Sequence, residues 1–283
     1  MRLEPPAAPP SPSPPSRPRV VGVRRHGDDD PVADQPTDAL AADAAAEPAP
    51  TRWRWLALGF AAAWLLPPFL PPGFDWFLAA IPHEMGHATI GSLLGRPSAP
   101  AISLAGHAWA GIGEFRPWLS WVMALGLGAL AWLQRTRPVL AIGLGLAALT
   151  MPFVARMHAA EVLISLGGHF GELAFAAYCY ALCWSGGHTG TPQERIASAM
   201  CGAILQAGSL RLSFGLLTDA AVRAHYEVSG SLGMKNDYLV IAEDLCSCRL
   251  QTVVGWMLLP GLLALPLGLW WGAVRQRRAH LDD

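Results

Sequence analysis

Seven apolar runs, parted by short polar breaks, fill the chain between Trp53 and Trp271. They begin with WRWLALGFAAAWLLPPFL (53–70) and FDWFLAAIPHEMGHATIGSLL (74–94). Further runs cover 118–133, 139–154, 158–184, 196–217 and 253–271. About 20 apolar residues in a helix cross a hydrocarbon core of about 30 Å. Soluble domains carry about 25% charged residues, and this chain carries 14%, with 52% hydrophobic. A soluble body could bury part of this surface but would lack the polar shell to cover it. The sequence therefore predicts an all-α fold, a polytopic transmembrane helix bundle of six or seven segments.

The remaining polarity is concentrated at the front. Residues 1–52 hold 14 of the 41 charged side chains and 12 of the 25 prolines. A Pro/Ala-rich stretch of this kind cannot offset its ordering entropy, so 1–51 is expected to be a disordered tail. It also lacks the apolar core of a secretory signal. Residues 52–274 form the expected transmembrane domain, and 275–283 a short tail, basic then acidic. Tryptophans near the run ends, Trp53, Trp55, Trp118, Trp132, Trp184, Trp270 and Trp271, suit an interfacial belt in a lipid bilayer. Arg52 and Arg54 in front, with Arg275, Arg277 and Arg278 behind, place both ends on the cytoplasmic side. That favours an even number of crossings, and seven runs leave the count open. No extended basic block is present for nucleic acid, and no glycine-rich phosphate loop for a nucleotide. Oligomeric state is not legible.

Residues 96–116 hold three glycines and two prolines around AISLA and AWAGI. They read as a short loop or hairpin associated with the membrane, where irregular backbone needs cover from protein or a polar cavity. LGLGALAWL and IGLGLAAL carry small residues at helical spacing, which predicts tight helix packing. The polar stretch 218–249 contains YLVIAEDL, an expected amphipathic helix capped by Asn236 or Asp237.

The second run carries His83-Glu84-Met85-Gly86-His87. Residues at i and i+4 share one helix face, so both imidazoles can meet one metal ion. Zinc suits imidazole and lowers the pKa of bound water. Glu84, beside the first histidine, is placed to act as general base and acid. Ionisable groups in an apolar span cost about 2.5–3.5 kcal/mol each for the charged types and generally serve a site. Pro82 removes an amide donor, which predicts a kink or a helix start there. A catalytic zinc needs a third protein ligand, and the candidates are Asp237, Asp244, Glu243, Glu172, His169, His158 and Glu161.

HEMGH resembles the HExGH motif of site-2-protease-like intramembrane zinc metalloproteases, the M50 peptidase group. AISLAGHAWAGIG looks like that family's membrane-associated hairpin. LISLGGHFGELAF is similar to its A-G-P-x-x-N helix, with His169 for the proline and Glu172 for the asparagine. The family's L-D-G motif is absent, and GMKNDYLVIAEDL is the nearest equivalent. The resemblance implies a Zn2+ cofactor held by His83, His87 and Asp237, with Glu172, Asp244 and His169 as rivals to Asp237, and Glu84 as the catalytic residue. It also implies peptide-bond hydrolysis in membrane-spanning or membrane-proximal substrates, and a multi-pass protein of a bacterial inner membrane. Two rival functions stay open: a non-proteolytic metal-binding scaffold or regulator, and a transporter or ion pathway using the intramembrane His and Glu residues.

His158, Glu161, His169 and Glu172 form two H-x-x-E pairs eleven residues apart. Near-integral turns predict one inward-facing polar stripe. His107 and His188 fall in loops and read as surface residues. Cys246 and Cys248 form a C-x-C pair without a second pair to complete a metal site.

Overall fold

The computed structural model describes residues 48–71, 73–103, 107–228 and 235–282. The expected tail, residues 1–51, lies almost wholly outside them.

The described residues are mostly helical. α1 is Ala49–Leu65, followed by a 3-10 turn at Pro67–Phe69, and α2 is Phe74–Leu93. A two-stranded antiparallel hairpin follows, β1 Ser98–Ser103 and β2 His107–Ile112, with Ala101 opposite Trp109. α3 is Pro117–Leu133, α4 Pro138–Val154, α5 Ala159–Ser185 and α6 Pro192–Thr218. α7 is Ala220–Val228, and α8 is a single turn, Asp237–Leu239, that widens into π-helix over Val240–Leu245. α9 is Leu250–Asp282.

The boundaries have local causes. α3 and α4 each start on a proline at the first helical position, where a missing amide donor costs nothing. α5 stops at Gly186, whose φ of 99° is left-handed. α6 is capped by Thr191, whose side chain accepts from the Glu194 backbone amide.

Among the described residues, three helices are long and apolar enough to cross a membrane: α5, α6 and the Leu250–Arg277 part of α9. α3 and α4 are apolar but shorter, at 17 residues each. The outer surface is rich in exposed large apolar side chains, among them Trp64, Trp118, Trp132 and Trp270. The core joins α5, α6, α8 and α9 through Leu173, Leu205, Tyr238, Ile241, Val253 and Met257.

Three expectations from the sequence are corrected. Pro82 is not a helix start, because α2 begins at Phe74 and runs through it. The i−4 carbonyl loses one bond, and neighbouring packing holds the helix together. YLVIAEDL is not a regular amphipathic helix, since most of it is π-helical, and the Asn236 side chain makes no cap bond. Asn236 instead donates through Nδ2 to the Tyr226 carbonyl at 2.6 Å. Finally, the α3 and α4 glycines do not mark tight packing. A Cβ added at Gly126, Gly128, Gly143 or Gly145 would meet nothing within 4 Å. Spacing puts small residues on one face but cannot say whether a neighbour lies there.

Crowded glycines lie elsewhere, among them those between α2 and α5. A Cβ at Gly86 would overlap the Gly167 carbonyl oxygen, and one at Gly171 would overlap that of Pro82. Side-chain-free positions on both helices let the backbones touch.

Candidate metal centre

α2 and α5 press together along this glycine seam, and α8 closes the site. α8 is anchored by Tyr238 and Ile241, both fully buried in the core, so Asp237 at its start is carried to the seam.

Three donor atoms meet there. His83 Nε2 lies 2.9 Å from Asp237 Oδ2 and 3.1 Å from His87 Nε2. His87 Nε2 lies 3.2 Å from the same Asp237 oxygen. The two rings are nearly perpendicular, with centroids 4.7 Å apart. Zinc ligands at about 2.0–2.1 Å in a tetrahedron stand roughly 3.3 Å from one another, so the set fits one ion with small adjustment. Two imidazoles and a carboxylate are also the donor types zinc takes. A Cβ at Gly168 would stand 2.5 Å from both Nε2 atoms. The absence of a side chain there keeps the space against the donors clear.

A second trio overlaps the first. His83, His169 and Asp237 offer donor atoms within 4.8 Å of one another. His169 Nε2 is 4.0 Å from Asp237 Oδ2, outside the spacing of a shared tetrahedral ion. The set with His87 is the tighter, and we give it the weight. His169 is buried and stacks on Tyr238, with centroids 4.2 Å apart.

Glu84 is buried at 7% exposure and lines two cavities with His83. One, of about 270 Å³, is bounded by His87, Asp237, Ser165 and the Ala108–Ala110 stretch of β2. The other, of about 210 Å³, is bounded by Trp76, Ala79 and Glu172. The hairpin therefore roofs the site. The outer ring nitrogens are also engaged: His87 Nδ1 with the Ile164 carbonyl at 2.7 Å, and His83 Nδ1 with Glu172 Oε1 at 2.5 Å.

The other candidate ligands lie apart. Glu243 and Asp244 are exposed and bind Lys235 Nζ at 3.0 and 2.7 Å. These hydrogen bonds, Asp244 first, hold the Lys235 ammonium above the usual lysine range. The expected polar stripe on α5 divides. His169 and Glu172 turn into the site, whereas His158 is exposed against the Leu245 carbonyl at 2.7 Å and Glu161 is exposed beside Arg96. The α5 start lies beyond the α2 seam, so an inward face exists only further along. His188 is exposed and contacts Tyr178 Oη at 3.0 Å. His107 opens β2. Cys246 is exposed, away from the donors.

The sequence signalled the hairpin that forms the β2 wall, but not the roles of Gly168 and the Ile164 carbonyl. Glycines at 167, 168 and 171, all on one helix, were the available signal for a backbone brought against something.

No family model, no curated protein and no solved structure matches the chain. Fold and site together define a mostly helical protein with, among the described residues, three helices fit to cross a membrane and a half-buried His/Asp group able to hold a metal ion.

Proposed function

We propose that the protein is a zinc-dependent intramembrane endopeptidase of the site-2 type. In this reading it is a multi-pass protein of six or seven spans in a bacterial inner membrane, with the shorter apolar helices crossing beside the three long ones. The observation that carries the proposal is the meeting of His83 Nε2, His87 Nε2 and Asp237 Oδ2 within 3.2 Å, beside a buried Glu84.

His83, His87 and Asp237 hold the zinc. When bound, zinc polarises the scissile carbonyl and lowers the pKa of water toward neutrality. Glu84 does the proton work. Glu84 lines both cavities; its carboxylate takes a proton from the attacking water and delivers it to the leaving amide nitrogen. Substrate lies between β2 and the α2 site face, where Ala108 and Ala110 leave room and the Trp109 strand shields the reaction from lipid.

The test uses purified full-length protein and a membrane-spanning peptide substrate. Glu84→Gln keeps the zinc and lowers turnover by about 10²–10⁴-fold. Undiminished cleavage by that variant refutes the mechanism.

A metal-binding scaffold remains as the second reading, on one observation. His169 Nε2 stands 4.0 Å from Asp237 Oδ2, and an inward shift of that ring would add a fourth protein ligand and close the ion to water, as structural zinc sites are closed. A cobalt-substituted sample separates the two. Four protein ligands with no exchangeable water favour the scaffold.

A further inference from the structure

The Nδ1 nitrogens of the three histidines at the seam are not treated alike. His87 Nδ1 donates to the Ile164 carbonyl at 2.7 Å. His83 Nδ1 meets Glu172 Oε1 at 2.5 Å, with the Glu172 side chain 12% exposed. Both acceptors belong to α5, one turn or more to either side of Gly167 and Gly168. His169, by contrast, has an Nδ1 without a hydrogen-bond partner, 3.8 Å from Glu172 Oε2.

A neutral imidazole has one donor nitrogen and one acceptor nitrogen. To offer its Nε2 lone pair to an ion, a ring must carry its hydrogen on Nδ1. An ionised carboxylate only accepts, so with an ion at Nε2 between His83 and Asp237, Glu172 takes the hydrogen left on Nδ1 and fixes the ring plane. The Ile164 carbonyl does the same for His87. His169 Nδ1 faces the same carboxylate only at 3.8 Å, beyond hydrogen-bond distance, so His169 lacks the hold that His83 and His87 have.

We propose that Glu172 is a positioning residue for His83, fixing its Nδ1–H tautomer and aiming Nε2 at the point shared with His87 and Asp237. The proposal rests on the metal-site reading and adds a role to a residue outside the ligand set. It also assigns α5 as the element that orients both imidazoles, through one side chain and one backbone carbonyl.

The experiment measures zinc affinity of the full chain in detergent by competition with a chromophoric chelator. Loss of an outer partner of a metal-bound histidine weakens binding by about 10–100-fold, which is expected for Glu172→Ala. Glu172→Gln keeps an oxygen that accepts the same N–H and falls by less than about tenfold. Nitrogen-15 histidine spectra of the zinc-loaded wild type show a protected Nδ1–H for His83, and this readout needs no variant. Equal affinity in wild type and Glu172→Ala overturns the positioning role and leaves the metal site standing. So does Glu172→Gln binding as weakly as Glu172→Ala, or a wild-type spectrum without that proton. A wild type that takes up no zinc overturns both readings. If Glu172→Ala does not fold, the Glu172→Gln affinity and the wild-type spectrum decide the matter.

Discussion

Two helix pairs in this protein carry glycines in their interiors and use them in opposite ways. On α2 and α5, Gly86, Gly167 and Gly171 sit where an added Cβ would strike the facing backbone. On α3 and α4, the same test at Gly126, Gly128, Gly143 and Gly145 meets open space. The first pair encloses His83, Glu84, His87, His169 and Glu172, all buried or half-buried. The second exposes Leu125, Trp132, Val139 and Leu146. Small residues permit close approach without causing it. Other glycines, Gly59 against Ala199 and Gly268 against the Ala177 carbonyl, are crowded as well, so what sets α2 and α5 apart is that bare positions on both helices face each other beside the polar side chains.

The contrast can be broken most severely at Gly168. Gly168→Leu puts a side chain against both Nε2 atoms and should remove zinc binding altogether, read as metal stoichiometry after purification. A variant that still holds one equivalent would show that the donors lie elsewhere. The glycine comparison itself comes next. Gly86→Ala overpacks the α2–α5 seam and should cost about 1–3 kcal/mol, seen as a lower Tm. Gly128→Ala and Gly143→Ala should leave Tm unchanged or raise it, since alanine is favoured over glycine in a helix by about 0.5–1 kcal/mol. Equal losses at all three positions would dissolve the distinction. The smallest effect belongs to Lys235→Met. Freed of the ammonium, Glu243 and Asp244 no longer clamp the loop before Asp237. Amide exchange over 236–245 should quicken while zinc stoichiometry holds.

Much of the site could be read from the chain because its central motif is local. His83 and His87 are four residues apart, and helical geometry alone puts them on one face. Asp237 is 154 residues from His83, so no spacing rule could bring it in. It came through resemblance, among six rivals that local pattern could not rank. Glu243 and Asp244 looked equally apt as carboxylates, and a lysine nine residues before Asp244 took them both. The α5 stripe was half legible: periodicity aligned four residues, but only the two beside α2 found the interior.

The apolar runs determined that the protein is helical and that parts of it suit a membrane, because hydrophobic length and helical period are properties of contiguous residues. The HExxH spacing likewise determined that two imidazoles share a face. Tertiary structure alone decided which carboxylates join them, which glycines are crowded, and which histidine nitrogens find acceptors. Each of these depends on where a distant helix comes to rest, and packing across the chain fixes that position.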